Sequence, residues 1–142
     1  MTIQAGLSAT AADQLQIHNA SGYLRLATAA TLTLASDIIV PTQNYNKVAV
    51  QSSTTDTCLS ITGTNVTDGF VLILVPNNTA HTITFTDTAT PAAGTLSLAG
   101  DFSMTGVGAT LTLIYTGTDW LELARTPGMT FGKAIAAAII FA

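Results

Sequence analysis

Short alternations of polar and apolar residues dominate the chain. Runs such as Thr31–Leu34, Thr82–Phe85, Thr95–Leu98 and Thr110–Leu113 carry an apolar side chain at every second position. A period of two is what a half-buried strand requires, because successive side chains of a strand point to opposite faces. Gly, Asn, Asp and Pro residues separate the runs and supply turn chemistry. The pattern therefore predicts an all-β chain built from many short strands.

The longest such pattern, residues 107–125, predicts a hairpin. Thr110–Leu113 forms the first alternating run, and Thr116–Asp119 reads Thr-Gly-Thr-Asp, a turn sequence. Trp120 then begins a second alternating run that ends at Arg125. Two alternating runs joined by a short turn that contains Gly are typical of a β-hairpin. We expect Trp120 to be a core anchor of this hairpin, with stacking on a sugar as the alternative role.

One run differs from the others because it is apolar without interruption. Phe70–Val75 lies between Gly69 and Pro76 and contains no polar residue. Its β-branched content favours a strand covered on both faces, with a short buried helix as the alternative. A strand of this kind is a candidate for burial against another chain. The candidate contacts within this part of the sequence are Phe70, Leu72, Leu74 and Trp120.

The remaining strands complete the prediction of one β domain. Further strands are expected at Tyr23–Leu26, Ile38–Val40, Lys47–Gln51, Leu59–Thr62 and Phe102–Met104, with a loop at Ser52–Thr57. The Thr-rich runs begin at positions 82, 95 and 110, so their spacing of 13 and then 15 residues is a loose rhythm and not a strict repeat. We expect a single domain over residues 23–127 that is an antiparallel-rich sandwich, a barrel or a short β-helical domain.

The two ends of the chain differ from the domain between them. Residues 1–22 are rich in Ala, Ser, Thr and Gln and predict an extended arm. Residues 128–142 form a tail whose last nine positions are apolar. Such a segment either completes the chain's own core or docks on a partner, because it has no polar face. The candidate partner contacts in the tail are Ile135, Ile139, Ile140 and Phe141.

Charge is scarce along the whole chain. Only 8% of the 142 residues are Asp, Glu, Lys or Arg, against about 25% in an ordinary soluble domain. This scarcity is what one expects if much of the surface lies against other chains. The formal net charge of −4 and four scattered cationic residues argue against nucleic-acid binding, which needs clustered Lys and Arg. The composition thus favours a subunit of an obligate assembly.

The sequence gives little sign of membrane or secretory targeting. The N-terminus has neither a basic region nor an apolar core, so we expect synthesis in the cytoplasm. The apolar run Ala134–Ala142 is shorter than the roughly 20 residues of a membrane span. The single cysteine, Cys58, is expected to be a small buried residue.

Candidate chemistry is sparse as well. Asp119 and Glu122 are the acidic pair nearest to a possible active position, but residues three apart on a regular strand point to opposite faces. We therefore expect a turn residue at Asp119 and a solvated face at Glu122. His18 and His81 lack metal-ligand spacing. We expect no catalytic residues, no metal and no cofactor, and hence no enzyme.

The hairpin at 111–125 resembles the closing hairpin of β-structured bacteriophage virion proteins, which occur in fibres, spikes and capsid-attached proteins. Its elements are an alternating strand, a Gly-Thr turn, Asp-Trp, Leu-Glu-Leu and Arg125. The stretches 72–75, 82–87 and 96–102 are similar to the strands that precede that hairpin, so the likeness covers about residues 24–126. The resemblance implies a homotrimer whose function is shape and adhesion, without cofactors.

Size and termini narrow this expectation. The chain is short and carries a polar arm and an apolar tail, which is more typical of a capsid decoration (cement) protein than of a long fibre. We therefore expect a homotrimer on the capsid surface of the virion, where it binds the major capsid protein and bridges capsomers. The alternative is a head or tail fibre tip that binds a host glycan through loops such as Gln43–Asn46 and Asp87–Gly94.

Overall fold

The computed structural model describes residues 26–129, which form strands and no helix. The all-β prediction is confirmed. The strands are β1 Ala30–Thr33, β2 Ile38–Ile39, β3 Tyr45–Ala49, β4 Thr55–Cys58, β5 Ser60–Ile61, β6 Val71–Pro76, β7 Thr82–Phe85, β8 Leu96–Ser97, β9 Phe102–Met104, β10 Thr110–Tyr115 and β11 Trp120–Thr126.

The strands form a β-solenoid-like arrangement of about three turns. A six-stranded sheet has the order β1-β3-β6-β10-β11-β8, a three-stranded sheet has the order β4-β7-β9, and β2 pairs with β5. From β1 to β10, consecutive strands of the chain enter different sheets, so that β3 stacks on β1, β5 on β2 and β7 on β4. Of the three architectures that the sequence left open, the short β-helical domain is the one observed.

Parallel pairing prevails, contrary to the expected antiparallel pairing. Within residues 26–129, five of the eight strand pairings are parallel. The physical reason is the coiled path of the chain. Each strand pairs with the equivalent strand of the next coil, and the two run in the same direction. Antiparallel pairs occur where the chain reverses, at β6 with β10, β10 with β11 and β7 with β9.

The core lies between the three sheets. Buried side chains from all of them share one cluster, which includes Leu32, Val48, Leu72 and Leu111 from the large sheet. The small sheets contribute Ile39, Ile61, Cys58, Ile83, Phe85, Phe102 and Met104. Alternation along each strand therefore directs one set of side chains inward, as the sequence pattern predicted.

One local prediction is wrong, and another lies mostly outside the described residues. The predicted loop Ser52–Thr57 includes the first three residues of β4, which pairs with β7 in parallel register from Thr55 opposite Thr82. The Thr-rich sequence of β4 fits a strand, since Thr is β-branched. The strand predicted at Tyr23–Leu26 begins outside the described residues, and Leu26 itself belongs to no strand.

The strand at Phe70–Val75 is confirmed, as β6, but it is buried on one face only. Leu72 and Leu74 have an exposed fraction of 0%. Val71, Ile73 and Val75 point to the other face and remain half-buried. No second layer among residues 26–129 buries the outer face, so the part of the chain that the structure describes covers this strand on one face only.

Candidate functional site

An apolar patch occupies the outer face of the six-stranded sheet. Its residues come from four adjacent strands, and their register brings them together: Tyr45 pairs with Ile73, Val71 with Ile114, and Ile114 with Leu121. With Val75, which lies two residues after Ile73 on the same face, these side chains form a continuous surface. We call this set the outer apolar patch: Tyr45, Val71, Ile73, Val75, Ile114 and Leu121.

None of the six side chains of the patch is buried. Leu121 is 46% exposed, and the other five are half-buried. Partial burial is normal for the central strands of a bare sheet face, because neighbours about 4.8 Å away cover the flanks of each side chain and leave its tip exposed. Among the described strand positions of this face, only Lys47, opposite Val75, is charged. Thr112, opposite Ile73, and Thr110 also lie on this face, so the patch is an apolar cluster with hydroxyl neighbours and almost no charge.

Trp120 anchors the hairpin in the core, as predicted. Its exposed fraction is 0%, and its Nε1 donates a hydrogen bond of 2.8 Å to the carbonyl oxygen of Ile61. The Tyr115 ring lies 5.0 Å from the indole, and the Phe70 ring packs edge-on at 6.3 Å, both between centroids. These contacts join the hairpin to β5 and leave the indole no surface on which a sugar could stack.

Asp119 is a turn residue, as predicted, and its carboxylate closes the hairpin loop. Ser97 Oγ donates to Asp119 Oδ2 at 2.7 Å, and the Thr116 hydroxyl donates to Oδ1. The hydrogen bonds from Thr116 and then from Ser97 lower the pKa of the Asp119 carboxyl. A carboxylate that is held in its charged form by two hydroxyls is suited to fixing a turn and not to accepting a proton.

Glu122 forms an ion pair with Arg125 and is not the solvated residue that the sequence predicted. A β-bulge places the two on one face, because Leu113 pairs with Glu122 while Thr112 pairs with Ala124, which leaves Leu123 without a partner. Glu122 also accepts a hydrogen bond of 2.9 Å from the backbone N–H of Ala99. The hydrogen bond from Arg125 is the main cause of the lowered pKa of Glu122.

A groove beside the hairpin is lined with hydroxyl groups. Its volume is about 410 Å³, and Ser60, Thr62, Thr64 and Tyr115 line it. Of the two loops predicted to bind glycans, Asp87–Gly94 contributes its last two residues to the groove. The other does not line it, and its residues Tyr45 and Asn46 belong to β3.

The structure brings four of the predicted contact residues together inside the protomer. Leu72, Leu74 and Trp120 are completely buried, and Phe70 is half-buried and packs against the same core. The first three therefore have no accessible surface with which to contact another chain, and they stabilise the protomer instead. The predicted contacts Ile135, Ile139, Ile140 and Phe141, like the arm at 1–22, lie outside the described residues.

The contact residues predicted in β6 lie on its inner face, so only the alternate residues of this strand are accessible from outside. In β6 the alternate residues Val71, Ile73 and Val75 face outward, whereas Leu72 and Leu74 face inward. An uninterrupted apolar run gives no signal for which set is inside. The signal that was present lies in the neighbouring strands, where Thr110 and Thr112 are polar and Leu111 and Leu113 are apolar.

The other candidate groups are isolated from one another. Burial raises the pKa of the Cys58 thiol to about 12, and its Sγ lies 3.4 Å from the carbonyl oxygen of Ser60. His81 Nε2 lies 3.3 Å from Asn78 Nδ2. Across residues 26–129, no three His, Cys, Asp or Glu side chains come close enough together to hold a metal ion.

The comparisons with known proteins add no relative. No family model, no curated protein and no solved structure matches this chain. In the part of the chain that the structure describes, no helix is long and apolar enough to cross a membrane. Function must therefore be argued from the residues and their geometry.

Proposed function

We propose that the protein is a non-enzymatic structural subunit of a bacteriophage virion. It forms a homotrimer, binds the major capsid protein at the outside of the head and stabilises the shell by bridging neighbouring capsomers. The observation that carries this proposal is the outer apolar patch, six apolar side chains from four adjacent strands with one charged neighbour. A surface of this kind is suited to burial against protein.

An exposed apolar patch is unfavourable in water, and its burial against protein lowers the free energy. Each Å² of apolar surface removed from water contributes about 25 cal/mol, so burial of several Val, Ile and Leu side chains stabilises an interface by several kcal/mol. A one-sided sheet normally presents polar residues to solvent. The outer face of β6 instead presents Val71, Ile73 and Val75, and Tyr45 and Ile114 lie beside them on the neighbouring strands. Contiguous apolar surfaces of this kind mark interaction sites.

The composition supports an assembly for a separate reason. Eight per cent charged residues leave few groups to repel neighbouring copies or to keep a lone subunit in solution. The arm at 1–22 and the tail at 128–142 are proposed to make contacts outside the subunit, to other copies or to the capsid protein. The assignment to a phage capsid rests on the resemblance of the hairpin at 111–125 to those of virion proteins.

Binding to capsids tests the function directly. The purified protein is mixed with capsids of the encoding virus that lack it, and binding is followed by co-sedimentation and by the temperature at which the shells open. We expect saturable binding in multiples of three chains and a higher opening temperature. Absence of binding by a protein that is folded and trimeric would contradict the decoration function and leave the trimer intact.

The groove beside the hairpin supports a second candidate, a fibre tip that binds a glycan. Hydroxyls from Ser60, Thr62 and Thr64 beside the Tyr115 ring combine hydrogen-bonding groups with an aromatic surface. Glycan-array binding that is lost in Thr62→Val and kept in Val40→Thr, a variant of an exposed residue outside the groove, would favour this function. No signal for any glycan would exclude it.

A further inference from the structure

We infer that the apolar segment 134–142 of one protomer covers the outer apolar patch of a neighbouring copy. This inference rests on the proposed homotrimer and names the contact that would hold it together. The proposed contact surface is the outer face of β3, β6, β10 and β11. It replaces the contacts predicted at Leu72, Leu74 and Trp120, which are buried in the protomer.

The two surfaces match in chemistry. Segment 134–142 reads Ala-Ile-Ala-Ala-Ala-Ile-Ile-Phe-Ala and contains no polar side chain. It cannot present a polar side to water whatever backbone conformation it adopts, so most of its side chains must be buried. The outer apolar patch is the complementary case, a broad face of half-buried Val, Ile and Tyr side chains with Lys47 as its one charged neighbour. One contact between them removes both apolar surfaces from water.

The chain leaves the described residues beside the sheet that carries the patch. The backbone of Met129 forms hydrogen bonds of 2.9 and 3.2 Å with Val107, three residues before β10 begins at Thr110. Four residues lie between Met129 and Ala134, and the five extended residue steps from one to the other span up to about 17 Å. Strands are about 4.8 Å apart, so this distance equals the width of three to four strands. The segment therefore begins close enough to the sheet to reach across to an adjacent subunit.

The symmetry of a trimer decides between the possible contacts. If the patch contacted the same patch of another copy, the contact would be isologous and would generate a two-fold dimer. A three-fold ring needs a heterologous contact between two different surfaces of the same chain. The patch and the segment 134–142 are two such surfaces. If the segment covered the patch of its own protomer, neither would remain to join the subunits of the trimer.

Complementation between two defective variants tests this inference. The first variant lacks residues 134–142 and keeps the patch. The second, Ile73→Thr with Ile114→Thr, keeps the tail but introduces hydroxyls at the centre of the patch while retaining β-branched side chains. The matched control, Val40→Thr with Leu59→Thr, makes two such apolar-to-Thr changes at residues that are 47% and 48% exposed outside the patch.

We expect native masses of three chains for the wild type and the control, and of one chain for each defective variant alone. An equimolar mixture of the two variants should give a mass of two chains, because one intact contact remains, between the tail of the second variant and the patch of the first. A defective variant that stays trimeric, or a mixture of folded variants that stays at one chain, would overturn the inference. The fluorescence of buried Trp120 reports whether each variant is folded.

Crosslinking the unshortened chain provides a second measurement in case a variant fails to fold. Leu121→Cys with Phe141→Cys is treated with a bis-maleimide, and native Cys58 does not compete because its exposed fraction is 0%. We expect covalent species of two and three chains on a denaturing gel. Crosslinks confined to single chains would overturn the inference in favour of docking within one protomer. A monomeric wild type would instead contradict the proposed trimer itself, so the two failures are distinguishable.

Discussion

Glu122 and Arg125 lie three positions apart on β11 and nevertheless form an ion pair on one face of the sheet. The bulge at Leu123 makes this possible, since a regular strand would direct the two side chains to opposite faces. Arg125 Nη2 also donates a hydrogen bond of 2.9 Å to the carbonyl oxygen of Gly100, and its guanidinium lies 5.1 Å from the centre of the Phe102 ring. The bulge thus joins the hairpin to the segment that leads into β9.

The ion pair predicts how stability depends on pH. Because the pKa of Glu122 is lower in the folded protein, its contribution is complete above the unfolded value of about 4.3 and is lost as the pH falls through the folded value. We expect Glu122→Gln to lower the free energy of unfolding by about 0.5–1 kcal/mol at pH 7, and by less at pH 3.

Denaturant unfolding of the wild type and of Glu122→Gln at both pH values measures the difference. Asp68→Asn, which removes an exposed carboxylate from a turn, is the control and should change stability little at either pH. The pKa of the Asp119 carboxyl is also lowered, so the free energy of unfolding still depends in part on pH in every variant. An equal effect of Glu122→Gln at pH 7 and pH 3 would show that the ion pair contributes nothing.

Trp120, the single tryptophan of the chain, should report the integrity of the core. We expect blue-shifted emission and protection from acrylamide, because its exposed fraction is 0%. Trp120→Phe removes the donor to the Ile61 carbonyl and leaves a cavity, so it should cost about 2–4 kcal/mol of stability. Tyr115→Phe, which loses one hydroxyl bond to Gly117, should cost under about 1 kcal/mol. Equal losses in the two variants would contradict the anchoring role of the indole.

Gly94 should tolerate no side chain. Its φ is +76°, and an added Cβ would lie 2.7 Å from the carbonyl oxygen of Ile61. Gly69 has a similar φ of +85° but open space around the added atom, which makes it a matched control. We expect Gly69→Ala to cost about 1–2 kcal/mol from backbone strain alone and Gly94→Ala to cost clearly more. Thermal unfolding compares the two, and a smaller loss at Gly94 would show that the loop moves freely away from β5.

Cys58 should be inert to thiol reagents while the protein is folded. Burial raises its pKa to about 12, and the thiol, not the reactive thiolate, is the form present at pH 8. We expect no reaction with a disulfide reagent in buffer and one thiol per chain in denaturant. Rapid reaction of the native protein would show that the interface between the small sheets opens readily.

Local pattern predicted the strands well because a period of two depends only on neighbouring residues. Thr110–Tyr115 and Trp120–Thr126 appear where the sequence placed a hairpin. The direction of pairing could not be predicted, because it depends on the path of the coil and not on any strand by itself. The last three residues of the loop expected at Ser52–Thr57 belong to β4. This could not be predicted locally either, because the strand that pairs with β4 is β7, far along the sequence.

The candidate site was predicted only in part. The sequence predicted β6 as a strand, but whether Leu72 or Ile73 faces outward depends on what packs beneath the sheet, where Leu72 is opposite Leu113. The ion pair between Glu122 and Arg125 could not be foreseen, because the bulge that creates it is a property of the register between two strands. An ion pair that depends on the register between two strands cannot be predicted from the sequence of one strand.

The native mass of the protein in solution, measured by light scattering, tests whether the protein is a homotrimer. We expect a particle of three chains of 14.6 kDa each, with the outer apolar patch buried at each subunit contact. A stable monomer with the patch exposed to water would contradict the homotrimer and the structural function that depends on it.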